Sequence, residues 1–412
     1  MSFRRILRHI KINLLLPLYQ KGMVMRLRHK KQINVTFIAM SLSMWRYQHL
    51  YELISKHPRF NASILILPCI QWAKEQQDKD SAELLEYFQE KGIKPILGVK
   101  EDGTHIDLRN ELKPDILFYP QPYIGNFHEE FDYTNHLGKL LCYSPYAFWM
   151  STGHWSYNQP LHYKSWKVFY PTELHRKDAE KAAFNKGRNI EVVGYLNTDN
   201  FLFQKHTDVW HPQSTPKKRI IWAPHHTISS GGYVTQSNFL WMSHFMLTVA
   251  QKYSDCIQFV FKPHPRLFSE LCKHEKWGEE KATAYYNEWS SMDNTQIETG
   301  EFVDLFMTSD AMIHDSGSFC VEYHYSGNPV MYIADNFEEQ VAEKGEFGQL
   351  AMRQHYVGKT EQDIINFIED VVLAGNDPMK QGREEFVKQY LLPPNGKTVA
   401  ENTMDVLLKA FC

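Results

Sequence analysis

Short apolar runs separated by helix-period patterns recur along nearly the whole chain. After a basic opening stretch, residues 32–40 (QINVTFIAM) read as a strand, 42–57 as a helix stopped by Pro58, and 62–68 (ASILILP) as a second strand. A helix over 81–91 ends at Gly92. Strands are predicted at 94–97, 115–119, 139–143 and 165–170, then a helix through Ala183 and a strand at 190–193. Strands that are apolar without alternation are those buried on both faces, and helices between them supply the crossovers that parallel pairing requires. A polar stretch at 205–218, with Pro212 and Pro216, interrupts the rhythm and reads as a linker. Strands then resume at 219–223, 257–262, 296–297, 311–314 and 329–333, and helices at 239–253, 284–289, 301–308, 319–326, 361–373 and 383–389. A last helix spans 397–410, after Pro393-Pro394.

The expected architecture is therefore α/β, with two Rossmann-like domains whose parallel sheets face a central cleft and an amphipathic helix in front. The divisions are an arm at 1–31, a first domain at 32–204, the linker at 205–218, a second domain at 219–392, and a C-terminal helix in 393–412 packing back on the first domain. Ligands of such sheets bind at the loops after the carboxyl ends of the strands.

Charge changes the reading of the first 31 residues. The 412-residue chain carries 45 Lys and Arg against 48 Asp and Glu, a formal net charge of −3, which excludes a generally basic nucleic-acid binder. Nine of the basic residues lie at or before position 31, and the first acid is Glu52. Removing those nine leaves 36 basic against 48 acidic residues, so an acidic body follows a basic arm. In the arm, Phe3, Ile6, Leu7, Ile10 and Leu14 recur at helical spacing, while Arg4, Arg5, Arg8 and Lys11 fall elsewhere. Its apolar run is too short to span a bilayer and has no signal-peptide cleavage site. An interfacial helix at an anionic membrane surface is the expectation, and an ordinary amphipathic helix packed on the first domain is its alternative. The six cysteines (69, 142, 256, 272, 320 and 412) are scattered without a CxxC pair, which fits neutral thiols in a reducing cytosol.

Three segments at predicted strand ends carry candidate chemistry. In IIWAPHHT, Pro224 ends a strand and leaves His225 and His226 at its tip; a metal site would need a third ligand that this segment lacks. In FVFKPHPR, two prolines favour extended backbone, so Lys262, His264 and Arg266 alternate onto one face as an anion site suited to phosphate. In MIHDSGSFCVE, Asp315, Ser316, Gly317 and Ser318 open a helix whose N–H groups and hydroxyls suit a phosphate, with Glu322 one turn in to accept from sugar hydroxyls.

Together these segments resemble the CDP-glycerol glycerophosphotransferase family of teichoic-acid and capsule polymer synthesis. The matching residues are Trp222-Ala223-Pro224, Lys262-Pro263-His264-Pro265, Asp315 with Ser318 and Glu322, and Gly396-Lys397-Thr398-Val399-Ala400-Glu401. Val193-Gly194-Tyr195-Leu196-Asn197 is similar to the segment closing that family's first domain. The resemblance covers roughly residues 140–410. It implies the two-domain GT-B fold and attack by an acceptor hydroxyl on the β-phosphate of a CDP-activated polyol, releasing CMP, without a metal or other cofactor. It implies Lys262, Arg266, Pro224, Asp315, Ser316, Gly317, Ser318 and Glu322 as donor contacts. The family's acceptor-side Trp-His-Gly segment has no counterpart in LCYSPYAF (141–148), so the base falls to His154, His225 or His226, while His264 is expected to neutralise the pyrophosphate beside Lys262 and Arg266.

The implied partners are a nucleotide-activated donor, a lipid-linked or polysaccharide acceptor, and a membrane surface met by residues 1–31 on the cytoplasmic side. The nearest rival is a GT-B sugar-nucleotide glycosyltransferase or a UDP-N-acetylglucosamine 2-epimerase-like enzyme, to whose Asp-Ser-Gly-Gly…Glu segment DSGS…E is also similar. A membrane-peripheral scaffold with a degenerate nucleotide site is a third reading.

Overall fold

The computed structural model describes residues 3–100, 102–228, 237–300, 302–317 and 319–412. The chain divides into two compact units, Met1–Asp199 with Leu391–Cys412, and Asn200–Tyr390.

The first unit is built on seven strands: β1 (Ile33–Ala39), β2 (Phe60–Ile66), β3 (Ile96–Leu97), β4 (Ile116–Tyr119), β5 (Leu140–Tyr143), β6 (Lys167–Tyr170) and β7 (Ile190–Val192). They lie in the order β3-β2-β1-β4-β5-β6-β7, and every pairing is parallel. The central strands are buried on both sides, as their unbroken apolar runs require. Phe37 of β1 stacks on Phe118 of β4 at 4.7 Å.

The second unit has six parallel strands: β8 (Lys218–Ala223), β9 (Ile257–Phe261), β10 (Thr295–Ile297), β11 (Ala311–His314), β12 (Val330–Ile333) and β13 (Tyr356–Gly358). Their order is β10-β9-β8-β11-β12-β13, so the strand order reverses between β8 and β11. Trp222 of β8 is buried against Phe239, Phe261 and Trp289 at 5.8, 5.0 and 5.5 Å.

Some elements differ from the sequence expectation. The single helix expected at 42–57 is a 3-10 turn, Leu42–Met44, and a helix, Gln48–Lys56. Trp45 between them takes an extended conformation and packs on Phe37, Tyr47 and Phe88, so aromatic burial overrides helical continuity. The helices Leu267–Lys273, Phe337–Ala342 and Glu346–Met352 and the three-residue strand β13 were not expected; each is too short to establish a period.

The arm forms a helix, Phe3–Ile10, a wide turn, Lys11–Leu15, and a helix, Leu16–Arg28. The residues it buries are Ile12, Asn13, Gln20, Met23 and Leu27. The Arg188 guanidinium donates to the Asn13 carbonyl and side chain at 2.8 and 2.6 Å, and Arg28 Nε donates to the Ala410 carbonyl at 2.8 Å. Phe3, Ile6, Leu7, Ile10, Leu14, Leu18 and Met25 are left exposed, with Phe3 at 74% and Leu18 at 66%. Of the described residues, no helix is long and apolar enough to cross a membrane.

The last helix, Val399–Phe411, joins the first unit and packs on Gln48–Lys56 and the arm. Its first N–H groups, of Val399 and Ala400, donate to the buried Asp199 carboxylate at 2.8 and 2.9 Å. Thr398 and Glu401 form a capping box there, so the 396–401 segment is occupied as a helix start. Gly194 has φ +101°, and a Cβ there would lie 2.7 Å from a Val399 methyl and 3.1 Å from Pro393.

Candidate functional site

The candidate residues gather where β8, β9 and β11 end in the second unit, at its topological switch point. Pro224 has no N–H, so regular pairing of β8 stops at Ala223 and the chain turns out with His225 and His226. Beyond β9 the pairing continues by two further bonds: Lys262 N–H donates to the Trp222 carbonyl at 2.8 Å and His264 N–H to the Pro224 carbonyl at 3.1 Å. This brings three imidazoles together, with ring centres 4.2 Å apart for His225 and His226, 4.9 Å for His225 and His264, and 4.1 Å for His226 and His264.

Burial, the neighbouring imidazoles and Arg266 hold these histidines neutral at pH 7. His225 is pushed down to about 4, first by burial and then by His226 and Arg266; His264 is pushed down to about 3, first by burial and then by the other two rings. His226 is also lowered, again mainly by burial. Backbone bonds assign two tautomers. Arg266 N–H donates to His264 Nδ1 at 3.1 Å and Thr227 N–H to His225 Nδ1 at 3.4 Å, so the ring proton of each sits on Nε2. His226 Nδ1 is buried without a hydrogen-bond partner. The cluster thus offers two N–H donors and one free ring nitrogen, beside a cation.

Arg266 is that cation, paired with Glu270 at 3.3 Å and largely exposed. Lys262, His264 and Arg266 do not share the single face expected of them. Arg266 already has helical dihedrals ahead of Leu267–Lys273, so the alternation ends. Lys262 is buried, and its ammonium donates to the Gly300 carbonyl at 2.9 Å.

Asp315, beyond β11, is fully buried and accepts three bonds: from His225 N–H at 2.6 Å, Asn238 N–H at 2.6 Å and the Ser237 hydroxyl at 3.1 Å. It joins the β8 tip, the start of the helix Phe239–Lys252 and its own loop. Burial raises its pKa, opposed by those bonds. Ser316 is buried, with its N–H 3.2 Å and its carbonyl 3.1 Å from His314 Nδ1; Gly317 follows in a turn. The helix after them is one α turn, Phe319–Glu322, running into a 3-10 turn, Tyr323–Ser326, so the dipole expected of a longer helix is small. Glu322 is buried at 3% exposure. Ser318 lies outside the described residues. His154 begins the short helix His154–Tyr157 of the first unit, and its side chain is likewise outside them.

Among the described residues, two groups have the spacing to hold a metal ion: His225, His226 and His264, and a buried set of His314, Cys320 and His355. In the first group, the Nε2 protons on His225 and His264 favour an anion over a cation. The sequence reading missed the second set, and also the meeting of His264 with the His225-His226 pair. That meeting follows from β8 and β9 being neighbours, and only the shared prolines hinted at it.

No family model matches the chain, and no curated protein matches it. Solved structures do. A Listeria monocytogenes protein assigned as a UDP-N-acetylglucosamine 2-epimerase has a TM-score of 0.60 at 17% identity, covering 92% of this chain and 96% of that one. The UDP-GlcNAc 2-epimerase of Neisseria meningitidis, solved with UDP-GlcNAc bound, has a TM-score of 0.57 at 15% identity, covering 92% and 100%. The wall teichoic acid polymerase TagF has a TM-score of 0.59 at 12% identity, covering 99% and 97%. These likenesses establish the fold: two parallel-sheet α/β units of the GT-B type.

Proposed function

We propose that the chain is a transferase that moves a glycerol phosphate, or a related polyol phosphate, from a CDP-activated donor to a hydroxyl of a lipid-linked or polymeric acceptor at a membrane surface. The strand-tip cluster is the pyrophosphate site. His225 and His264 donate from Nε2 and Arg266 supplies the charge; neutral N–H donors beside one cation suit a leaving phosphate in a chain whose body is otherwise acidic. The acceptor oxygen attacks the β-phosphorus, the bond to the bridging oxygen breaks, and CMP leaves with that oxygen. His226, with an unpartnered ring nitrogen, takes the hydroxyl proton. Phosphoryl-type transfer depends mainly on positioning and charge stabilisation, which this arrangement provides. Asp315 positions His225 through its backbone.

One observation carries this reading over an epimerase of the same fold: the apolar row of the arm faces solvent. An amphipathic helix that only packed on its domain would bury that row. A soluble nucleotide-sugar substrate gives no reason for the exposure, whereas a lipid-linked acceptor does. The test supplies CDP-glycerol, CDP-ribitol and UDP-N-acetylglucosamine separately, with and without a lipid-linked acceptor. Acceptor-dependent CMP release supports the proposal. Acceptor-independent isomerisation of the UDP-sugar would replace it with the epimerase reading.

A further inference from the structure

The second histidine cluster differs from the strand-tip trio in including a thiol and in being wholly buried. His314 ends β11, Cys320 lies in the turn Phe319–Glu322, and His355 directly precedes β13. Their exposures are 1, 0 and 3%, and one ligand atom from each lies within 4.8 Å of the others. Nε2 of His314 and Nε2 of His355 are both buried without a hydrogen-bond partner. A lone orphan of this kind costs on the order of 1–3 kcal/mol, so two at one place call for a ligand.

The His355 tautomer fits a cation. His355 Nδ1 contacts the carbonyls of Ala351 and Met352 at 3.2 and 3.1 Å; carbonyls only accept, so the proton is on Nδ1 and Nε2 carries a lone pair. His314 Nδ1 faces both the Ser316 carbonyl at 3.1 Å and the Ser316 N–H at 3.2 Å, so its tautomer follows what Nε2 meets, and a cation at Nε2 would select the form with the proton on Nδ1. Carbonyl partners of this type orient metal-bound imidazoles. At the cluster's edge His324 packs against His355 at 4.8 Å between ring centres, with its Nε2 on the Ala351 carbonyl and its Nδ1 buried and unpartnered. Burial keeps the rings neutral, His355 being pushed down to about 4, and pushes the Cys320 thiol up to about 12, so a bound cation would be the group that ionises the sulfur.

We propose that His314, Cys320 and His355 bind a d10 transition-metal ion, zinc or copper(I), as a structural staple beneath the Asp315-Ser316-Gly317 loop. Two imidazole nitrogens and a thiolate are a donor set that both ions favour. Bonds of about 2.0 Å to nitrogen and 2.3 Å to sulfur place ligand atoms ~3.3–3.8 Å apart, so the set closes by about 1 Å on binding. The staple joins β11, the following turn and the approach to β13. It does not depend on which donor the strand-tip site accepts.

The test uses the full chain, purified without a histidine tag and exposed to zinc or copper(I) before dialysis. Elemental analysis is expected to find about one equivalent of zinc or copper in the wild type and in His264→Ala, and a loss of at least tenfold in Cys320→Ser. Cobalt(II) loading of the wild type is expected to give a sulfur-to-cobalt charge-transfer band. The band should persist in a variant with Cys256, Cys272 and Cys412 all changed to serine, which spares the three buried cysteines and keeps the test valid even if Cys320→Ser fails to fold. The proposal is overturned if no ion is retained, if cobalt binds without the charge-transfer band, or if binding survives Cys320→Ser but is lost in His264→Ala.

Discussion

Asp315 and His264 show how single residues set this site. The Asp315 carboxylate has its bonding capacity engaged by His225, Ser237 and Asn238, so it shapes the loop. His264 has its Nδ1 occupied by the Arg266 N–H, which puts the ring proton on Nε2 as a donor. Loss of one positioned donor to a leaving phosphate costs on the order of 10²–10³ in kcat. His264→Ala is therefore expected to lower CMP release at least about 100-fold while leaving the urea midpoint nearly unchanged; full activity would remove His264 from the site. At Gly194 the positive φ and the 2.7 Å approach to Val399 together predict that Gly194→Ala destabilises the chain by about 1–3 kcal/mol, read as a lower urea midpoint. The types of residue were legible in the sequence, because proline-bracketed histidines at strand ends have few structural uses. Their partners were not legible: that Lys262 turns to Gly300, or that Asp315 holds a distant backbone, depends on tertiary approach.

Among the elements, the arm is the one whose chemistry goes furthest beyond packing. The period-3.6 row from Phe3 to Leu14 was legible, but its direction was not, since the same row could face domain or solvent. Burial of Ile12, Gln20, Met23 and Leu27 instead leaves the row outside. Replacing Ile6, Leu14 and Leu18 together by Glu is expected to abolish co-sedimentation with anionic phospholipid vesicles and to leave the thermal midpoint within about 2 °C, because all three side chains are exposed. Unchanged vesicle binding would show that the row is not the membrane face. The long apolar strands were readable to within a residue or two, as with β11 and β8, because continuous burial writes a continuous apolar run. Short helices such as Phe337–Ala342 left no such mark.

For the whole molecule, the fold class was legible because two series of apolar strands and helices are separated by a polar, proline-bearing stretch. Strand order and the return of the last helix to the first unit rest on contacts such as Asp199 with Val399. A global consequence of the buried histidines is pH dependence. His162, His175 and His264 are each pushed down to about 3 and His225 to about 4, in every case mainly by burial. Below about pH 6.5 the unfolded chain takes up these protons and the native chain does not, so stability falls as pH falls from about 6.5 toward 4, by up to ~1.4 kcal/mol per pH unit per histidine. Asp80, raised to about 6 by burial, and Asp199 and Asp315, also raised by burial, work in the opposite direction but are outnumbered. The urea midpoint should be lower at pH 5 than at pH 7, and a higher one would contradict this assignment. The transferase reading itself is tested most directly by nucleotide release from purified protein on vesicles carrying a lipid-linked acceptor. CMP from CDP-glycerol, dependent on the acceptor and lost in His264→Ala, is the expected result. Turnover of UDP-N-acetylglucosamine alone, with no CMP from either CDP-polyol, would contradict it.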